Sequence, residues 1–182
     1  MKLVAPTVEL HRSWLESATE WGTFDQEGAA YHLAELNGLD LRDRADFGRW
    51  VELLISPERP EGFAPDSNFW LVEDDVYLGA VQLRHYLNSL QLRELFGHIG
   101  YGVRPSARGQ GLATFMLRAV LWEAAVLGLR RVLVTCREDN AASIGVIRAC
   151  GGVLENIRPV DDFARGWGMT TPICQFWIET GA

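Results

Sequence analysis

The chain has 182 residues, 48% of them hydrophobic and 23% charged, globular proportions that exclude a disordered segment or a fibrous repeat and fit one domain without a metal or disulfide scaffold. Its formal charge of -7 argues against nucleic acid as a partner, because that binding needs clustered Lys and Arg to displace counterions, and mildly favours a cationic small substrate. Cys136, Cys150 and Cys174 are odd in number, with no CxxC and no zinc-ligand spacing to histidine, so neither a metal site nor a disulfide framework is expected.

After Lys2, residues up to Leu10 alternate polar and apolar character without a signal-peptide core, and no apolar run approaches the roughly 18 residues that span a bilayer. A cytoplasmic chain without membrane contact is the expectation. Residues 1–5 read as a strand, and Pro6 to Glu20 as a helix with Trp14, Leu15 and Ala18 at helical spacing. Trp21 to Asp46, with Gly22, Gly28 and Gly38 among scattered acids, reads as loop plus a broken helix. Phe47, Trp50, Val51 and Leu54 then mark an amphipathic helix over Asp46 to Ile55, stopped by Pro57 and Pro60.

Beyond Pro65 the period changes to that of strands. Asn68 to Glu73 and Val76 to Tyr86, joined at Asp74-Asp75, read as an antiparallel hairpin. Asn88 to Leu95 reads as a helical turn or loop, and His98 to Val103 as a strand ending at Pro105. Leu112, Phe115, Met116, Ala119, Val126 and Leu127 form one apolar stripe on a helix from Gly109 to Leu127 that Gly128 ends. Arg131 to Cys136 has the Val-Leu-Val content of a strand buried on both faces. A short helix over Asn140 to Cys150, closed by Gly151-Gly152, leads to strands at Val153 to Ile157 and Ile173 to Ile178. This order implies an α/β domain built on a mixed central sheet.

The stretch from His98 to Ala113 carries the chemistry. Unpaired amides and the dipole at a helix start attract phosphate oxygens, and Gly109 and Gly111 remove side chains that would block their approach. A pyrophosphate cradle is the natural reading; a plain tight turn is the alternative. A P-loop is excluded because no lysine follows in its pattern. The dinucleotide fingerprint fails because Thr114 stands where its third glycine belongs.

Arg108-x-x-Gly111-x-Ala113 resembles the (Q/R)xxGx(G/A) signature of the GNAT superfamily of N-acetyltransferases. Asp139-Asn140-x-x-Ser143 followed by Gly151-Gly152 resembles that family's segment after its fifth strand, and the likeness runs from about Asn68 to Ile178. The resemblance implies a GNAT-like, mostly antiparallel mixed sheet flanked by helices and splayed between the strand His98 to Val103 and the strand Arg131 to Cys136. It implies acetyl-CoA as cosubstrate, the pantetheine arm lying in the gap. Val103 and Tyr101 would offer backbone groups to that arm, and Arg108, Gly109, Gln110, Gly111, Leu112 and Ala113 would offer amides to the pyrophosphate. Asn140 and Ser143 would approach from the other side, a simple N-cap being an equal alternative for Asn140. Residues 1–66 would form the substrate side and 67–182 the sheet and cofactor core of a single domain. A homodimer is compatible with the resemblance.

An enzyme of this kind transfers acetyl to a primary amine of a small molecule or peptide by direct attack in a ternary complex. It needs a base, because an alkyl ammonium with a pKa near 10.4 is almost fully protonated at neutral pH. His98 is the candidate base, with a structural histidine as its competing reading; Glu94 and His85 are less well placed. Strict alternation sets His98 and Tyr101 on opposite faces unless the strand bulges. Ile147 stands where many relatives carry a tyrosine that protonates the leaving sulfur, so that role passes to Tyr101 or to water. Trp21, Asp25, Glu27, Tyr31, Asp161, Asp162 and Trp167 are candidates for an aromatic and acidic wall around a cationic acceptor, solvated loops being the competing reading of the stretches that hold them. The missing tyrosine also admits a second function class, an acyl-CoA-binding sensor without turnover.

Overall fold

The computed structural model describes residues 1–181. Lys2–Val4 forms the edge strand β1. Pro6 lies outside the helix expected there: the Thr7 hydroxyl accepts from the Glu9 amide and starts a 3-10 turn at Val8–Leu10, and α1 follows at His11–Trp21. Gly22, at φ 70°, stops α1 in the left-handed conformation that glycine adopts without strain. The next stretch is loop with one helical piece, α2 at His32–Leu36. α3 runs over Arg44–Ile55 and starts earlier than its apolar spacing suggests, because Asp43 caps it by accepting from the Ala45 and Asp46 amides.

β2, Asp66–Glu73, and β3, Val76–Arg84, pair as the antiparallel hairpin. Asp74 and Asp75 turn it at φ of 46° and 64°, the left-handed pair that matches the twist of the strands. Trp14 of α1 and Phe47 and Trp50 of α3 are fully buried. Their rings lie 5.1–5.5 Å from one another, and Phe47 and Trp50 each reach Trp70 of β2 at 5.9 Å. Burying this cluster fixes α1–α3 on one face of the sheet.

A π-helical turn at Leu92–Phe96 leads to β4, Ile99–Val103. α4, Leu112–Val126, covers the opposite face. Its buried side is Leu112, Met116, Leu117, Val120, Leu121 and Ala124, while Phe115, Val126 and Leu127 of the expected stripe are exposed. The helix is apolar nearly all round, so periodicity alone could not select its inner face. β5, Arg131–Arg137, is followed by α5, Ala141–Ala149, and β6, Val153–Arg158. The segment between the last two expected strands contains α6, Asp162–Gly166, which Asp161 caps by accepting from the Ala164 amide. β7, Ile173–Glu179, inserts between β5 and β6, giving the order β1-β2-β3-β4-β5-β7-β6.

All neighbours in the sheet are antiparallel except β4 and β5, which are parallel and meet at one register position, Ile99 opposite Val134. Beyond it the two strands part. Among the described residues no helix is long and apolar enough to cross a membrane.

Candidate active site

The parting of β4 from β5 leaves a strand edge without a partner. Arg84 N–H donates to the His98 carbonyl and Arg104 N–H to the Leu78 carbonyl, so the even positions of β4 bond to β3. The odd positions, Tyr101 and Val103, therefore turn their N–H and C=O groups toward the gap. The Val103 carbonyl is taken by Arg108 Nε at 3.1 Å; the Tyr101 groups and the Val103 amide stay free. β4 carries no bulge, so Tyr101 points its side chain to the α4 face and His98 points to the other, as alternation requires.

β4 runs directly into the glycine loop. Glu20 of α1 anchors that connection, accepting from Arg104 Nε at 2.7 Å and from the Ser106 amide at 2.9 Å. Gly109 and Gly111 both adopt φ 77°, and a Cβ on either would meet nothing within 4 Å. The first bond of the helix ladder runs from Phe115 N–H to the Gly111 carbonyl. The amides of Gly109, Gln110, Gly111, Leu112, Ala113 and Thr114 find no protein acceptor among the described residues, which makes this turn an open anion cradle. The Arg108 side chain is tied to Val103 and stacks 4.5 Å over Trp21, so it shapes the loop while its neighbours present amides. Trp21 thus sits under the loop. A shallow open groove continues from Gly111 past Thr114, Phe115, Arg118 and Ala119.

The far side of the gap is α5. Asn140 caps it, its side-chain oxygen accepting from the Ser143 amide at 3.0 Å. The Tyr101 hydroxyl and Ser143 Oγ share a hydrogen bond of 2.7 Å across the gap. Burial pushes the phenol up to about 12, against the hydrogen bond to Ser143, so Tyr101 stays protonated through the neutral range. Ile147 is fully buried and closes on Gly152, packed in the core.

His98 closes the point where the strands separate. Its backbone amide donates to the Leu133 carbonyl at 2.7 Å, and its ring Nδ1 accepts from the Leu133 amide at 2.9 Å. A neutral imidazole has one lone-pair nitrogen, and here that nitrogen is occupied. Burial, reinforced by the Arg84 charge, also lowers the ring to about 4. The geometry is that of the competing reading, a structural histidine, and it leaves no lone pair for a substrate proton. Glu94 is paired with Arg158 Nε at 2.9 Å, and His85 Nε2 shares a hydrogen bond with Ser67 at 2.9 Å. Neither is free.

Gly100 and Gly102 of β4 face the other side, under the loop after α1. A Cβ on Gly28 would come within 2.6–2.8 Å of Tyr101 Cα and the Ala80 and Gly100 carbonyls, and one on Gly102 would lie 2.8 Å from Glu27 Cβ. Only glycines permit this approach, and it seats Glu27 on the strand beside the gap. Burial raises its carboxyl, Asp25 adds to the rise, and Arg137 and Arg84 oppose it; the residue as a whole remains exposed to solvent. Of the remaining wall candidates, Asp161 caps α6 and pairs with Arg158 at 3.0 Å. Asp162 pairs with Arg165 at 2.6 Å, Trp167 packs edge-on against Phe96, and Tyr31 lies against Phe24. Arg84, at the end of β3 on the same face as Glu27, was not singled out from the sequence, where the signal was an arginine closing an otherwise apolar strand.

Comparison with known proteins fits this geometry. The acetyltransferase (GNAT) domain family matches residues 18–153, while no curated protein sequence matches. The fold is similar to the microcin self-immunity acetyltransferase MccE in complex with acetyl-CoA and AMP, at TM-score 0.65 and 15% identity over 97% of this chain and 91% of that one. It is also similar to an acetyltransferase from Salmonella typhimurium that modifies the N-terminal serine of a 50S ribosomal subunit protein, at TM-score 0.64 and 18% identity over 97% and 93%. A variant of the spermidine N-acetyltransferase SpeG from Vibrio cholerae superposes at TM-score 0.59 and 14% identity over 100% and 96%. These identities speak for the fold alone, but the family match spans β4, the open cradle and β5, and by it the chain belongs to the GNAT acetyltransferases.

Proposed function

We propose that the chain transfers an acetyl group from acetyl-CoA to a primary amine of a small molecule or peptide, by direct attack in a ternary complex. The observation that carries this is the continuity of the unpaired β4 edge with the run of unpaired amides from Gly109 to Thr114. An extended amide-bearing arm ending in a pyrophosphate matches both surfaces. Tyr101 and Val103 bind the arm as a neighbouring strand would, Gly109 to Ala113 hold the diphosphate, and Asn140 and Ser143 border the gap from α5. Bound acetyl-CoA supplies an activated thioester.

Glu27 accepts a proton from the acceptor ammonium, directly or through water. The freed nitrogen then attacks the carbonyl carbon, the C–N bond forms, the C–S bond breaks, and the second proton that the nitrogen sheds to become an amide passes through water to the Tyr101 oxygen as that hydroxyl gives its own proton to the departing thiolate. The Tyr101 hydroxyl is the donor in reach of the departing sulfur, and its raised pKa keeps it protonated for that task. Incubating the purified protein with acetyl-CoA and a panel of amines while following free thiol tests the reading, and amine-dependent thiol release is expected. Tyr101→Phe should lower kcat by about tenfold or more and leave the affinity for coenzyme A unchanged. The buried Ile147 in place of a tyrosine favours the sensor as the second reading: saturable coenzyme A binding with no turnover on any amine would establish it.

A further inference from the structure

Among the described residues, Arg84 is an enclosed arginine of this site that forms no direct ion pair, although the Asp66 and Glu27 charges act on it from farther off. Arg59 directs Nε and Nη2 at Asp66, and Arg158 directs Nε at Glu94 and Nη2 at Asp161. In each, the Nε/Nη2 edge, which matches a carboxylate in two parallel hydrogen bonds, is filled. Arg84 uses only Nη1, donating to the Gly97 carbonyl at 3.2 Å and the Phe96 carbonyl at 3.4 Å. Those two bonds fix the plane of the guanidinium. Its Nε and Nη2 donate to nothing among the described residues, and neither is sealed from solvent. Asp66, opposite Arg84 in the hairpin register, is held by Arg59 and Gln82.

The free edge lies on the acceptor side. Both terminal nitrogens of Arg84 are 4.0 Å from where a Gly100 Cβ would stand, and Glu27 is seated on Gly102, two positions along the same face of β4. Two strand residues span about 7 Å. An ammonium beside Glu27 and an anionic group on Arg84 can therefore belong to one short molecule. His32, stacked on Phe63 at 5.6 Å, borders the same space. It is kept uncharged by burial and by Arg84, so it brings no second cation to the anion.

We propose that Arg84 is a specificity residue for the acceptor, binding a carboxylate on the molecule whose amine is acetylated, so that the substrate class is an amino acid or a similarly short amine-carboxylate. This rests on the acetyl-transfer reading above. A polyamine would bring a further ammonium to a guanidinium that no carboxylate hydrogen-bonds, and is disfavoured.

The test pairs each acceptor with its uncharged counterpart: short amino acids against their carboxamides, with spermidine as a polycation, acetyl-CoA saturating and free thiol measured. On the unaltered protein KM for the acid should be roughly 10- to 100-fold below that for the amide, the worth of hydrogen bonds to a charged group. In Arg84→Met the preference should vanish while the affinity for acetyl-CoA, measured by calorimetry, is retained; Arg84→Lys should restore it only in part. Equal KM for acid and amide on the unaltered protein, or a preference for spermidine, would overturn the proposal whether or not the variants fold. If no acceptor turns over, equilibrium binding of the same pairs to the coenzyme A-loaded protein gives the same discrimination, and equal binding overturns it. Loss of acetyl-CoA affinity in the unaltered protein would instead strike the acetyl-transfer reading.

Discussion

Replacing Glu27 by glutamine keeps the size and polarity of the side chain and removes its basicity. If Glu27 takes the acceptor proton, Glu27→Gln should lower kcat/KM by about 10²- to 10⁴-fold, with coenzyme A binding intact. The base form of a raised carboxyl predominates only above its own pKa, so activity should fall as pH drops through it, and that limb should be missing in the variant. A variant that keeps both the rate and the acid limb removes Glu27 from the mechanism. His98 offers a contrast on the same strand face. Its Nδ1 is committed to the Leu133 amide, and His98→Ala should act mainly by leaving that buried N–H unpaired, a cost of about 1–3 kcal/mol in stability. Spacing placed a histidine on the right strand, but not which of its nitrogens stayed free, because that depends on a partner from β5.

Among the elements, the turn before α4 and the strand before it do separate work. Gly109 and Gly111 stand at φ 77° with open space around them, so a side chain there is strained by backbone conformation and also intrudes where an anion would lie. Gly111→Val should raise the dissociation constant for acetyl-CoA by about tenfold or more, beyond the roughly 1–2 kcal/mol in stability that a left-handed residue costs. Isothermal titration and a melting curve on the same sample separate the two, and an unchanged dissociation constant would deny the cradle its role. This turn was legible in the sequence because its glycines and the helix that follows are local. The contributions of Gly28 and Gly102 were not legible. Their meaning is a contact between a loop and a strand far apart in the chain, and only packing reveals that a Cβ at either would be refused.

Across the whole molecule, the charged and titratable groups beneath the loop after α1 tie stability to pH. His32 and His98 are both lowered from 6.5 to about 4, by burial first and by Arg84 second. The unfolded chain therefore binds more protons than the folded one between those values, and stability present above about 6.5 should be lost as pH falls toward about 4. Glu27, raised in the folded state, opposes this only near its own titration. A melting temperature that stays level from neutral pH down through this window would contradict the burial of both rings. The sequence by itself determined the strands, the hairpin turn at Asp74-Asp75, the cradle at Gly109 to Ala113 and the family likeness, since each follows from residues close together whose spacing selects one local conformation. The tertiary structure alone decided that β4 and β5 part after Ile99, that His98 is spent at that parting, and that Glu27 and Arg84 share a face with one edge of the arginine unfilled. These depend on which distant groups reach one another first, and hydrogen-bonding capacity, once used, is no longer available to a substrate.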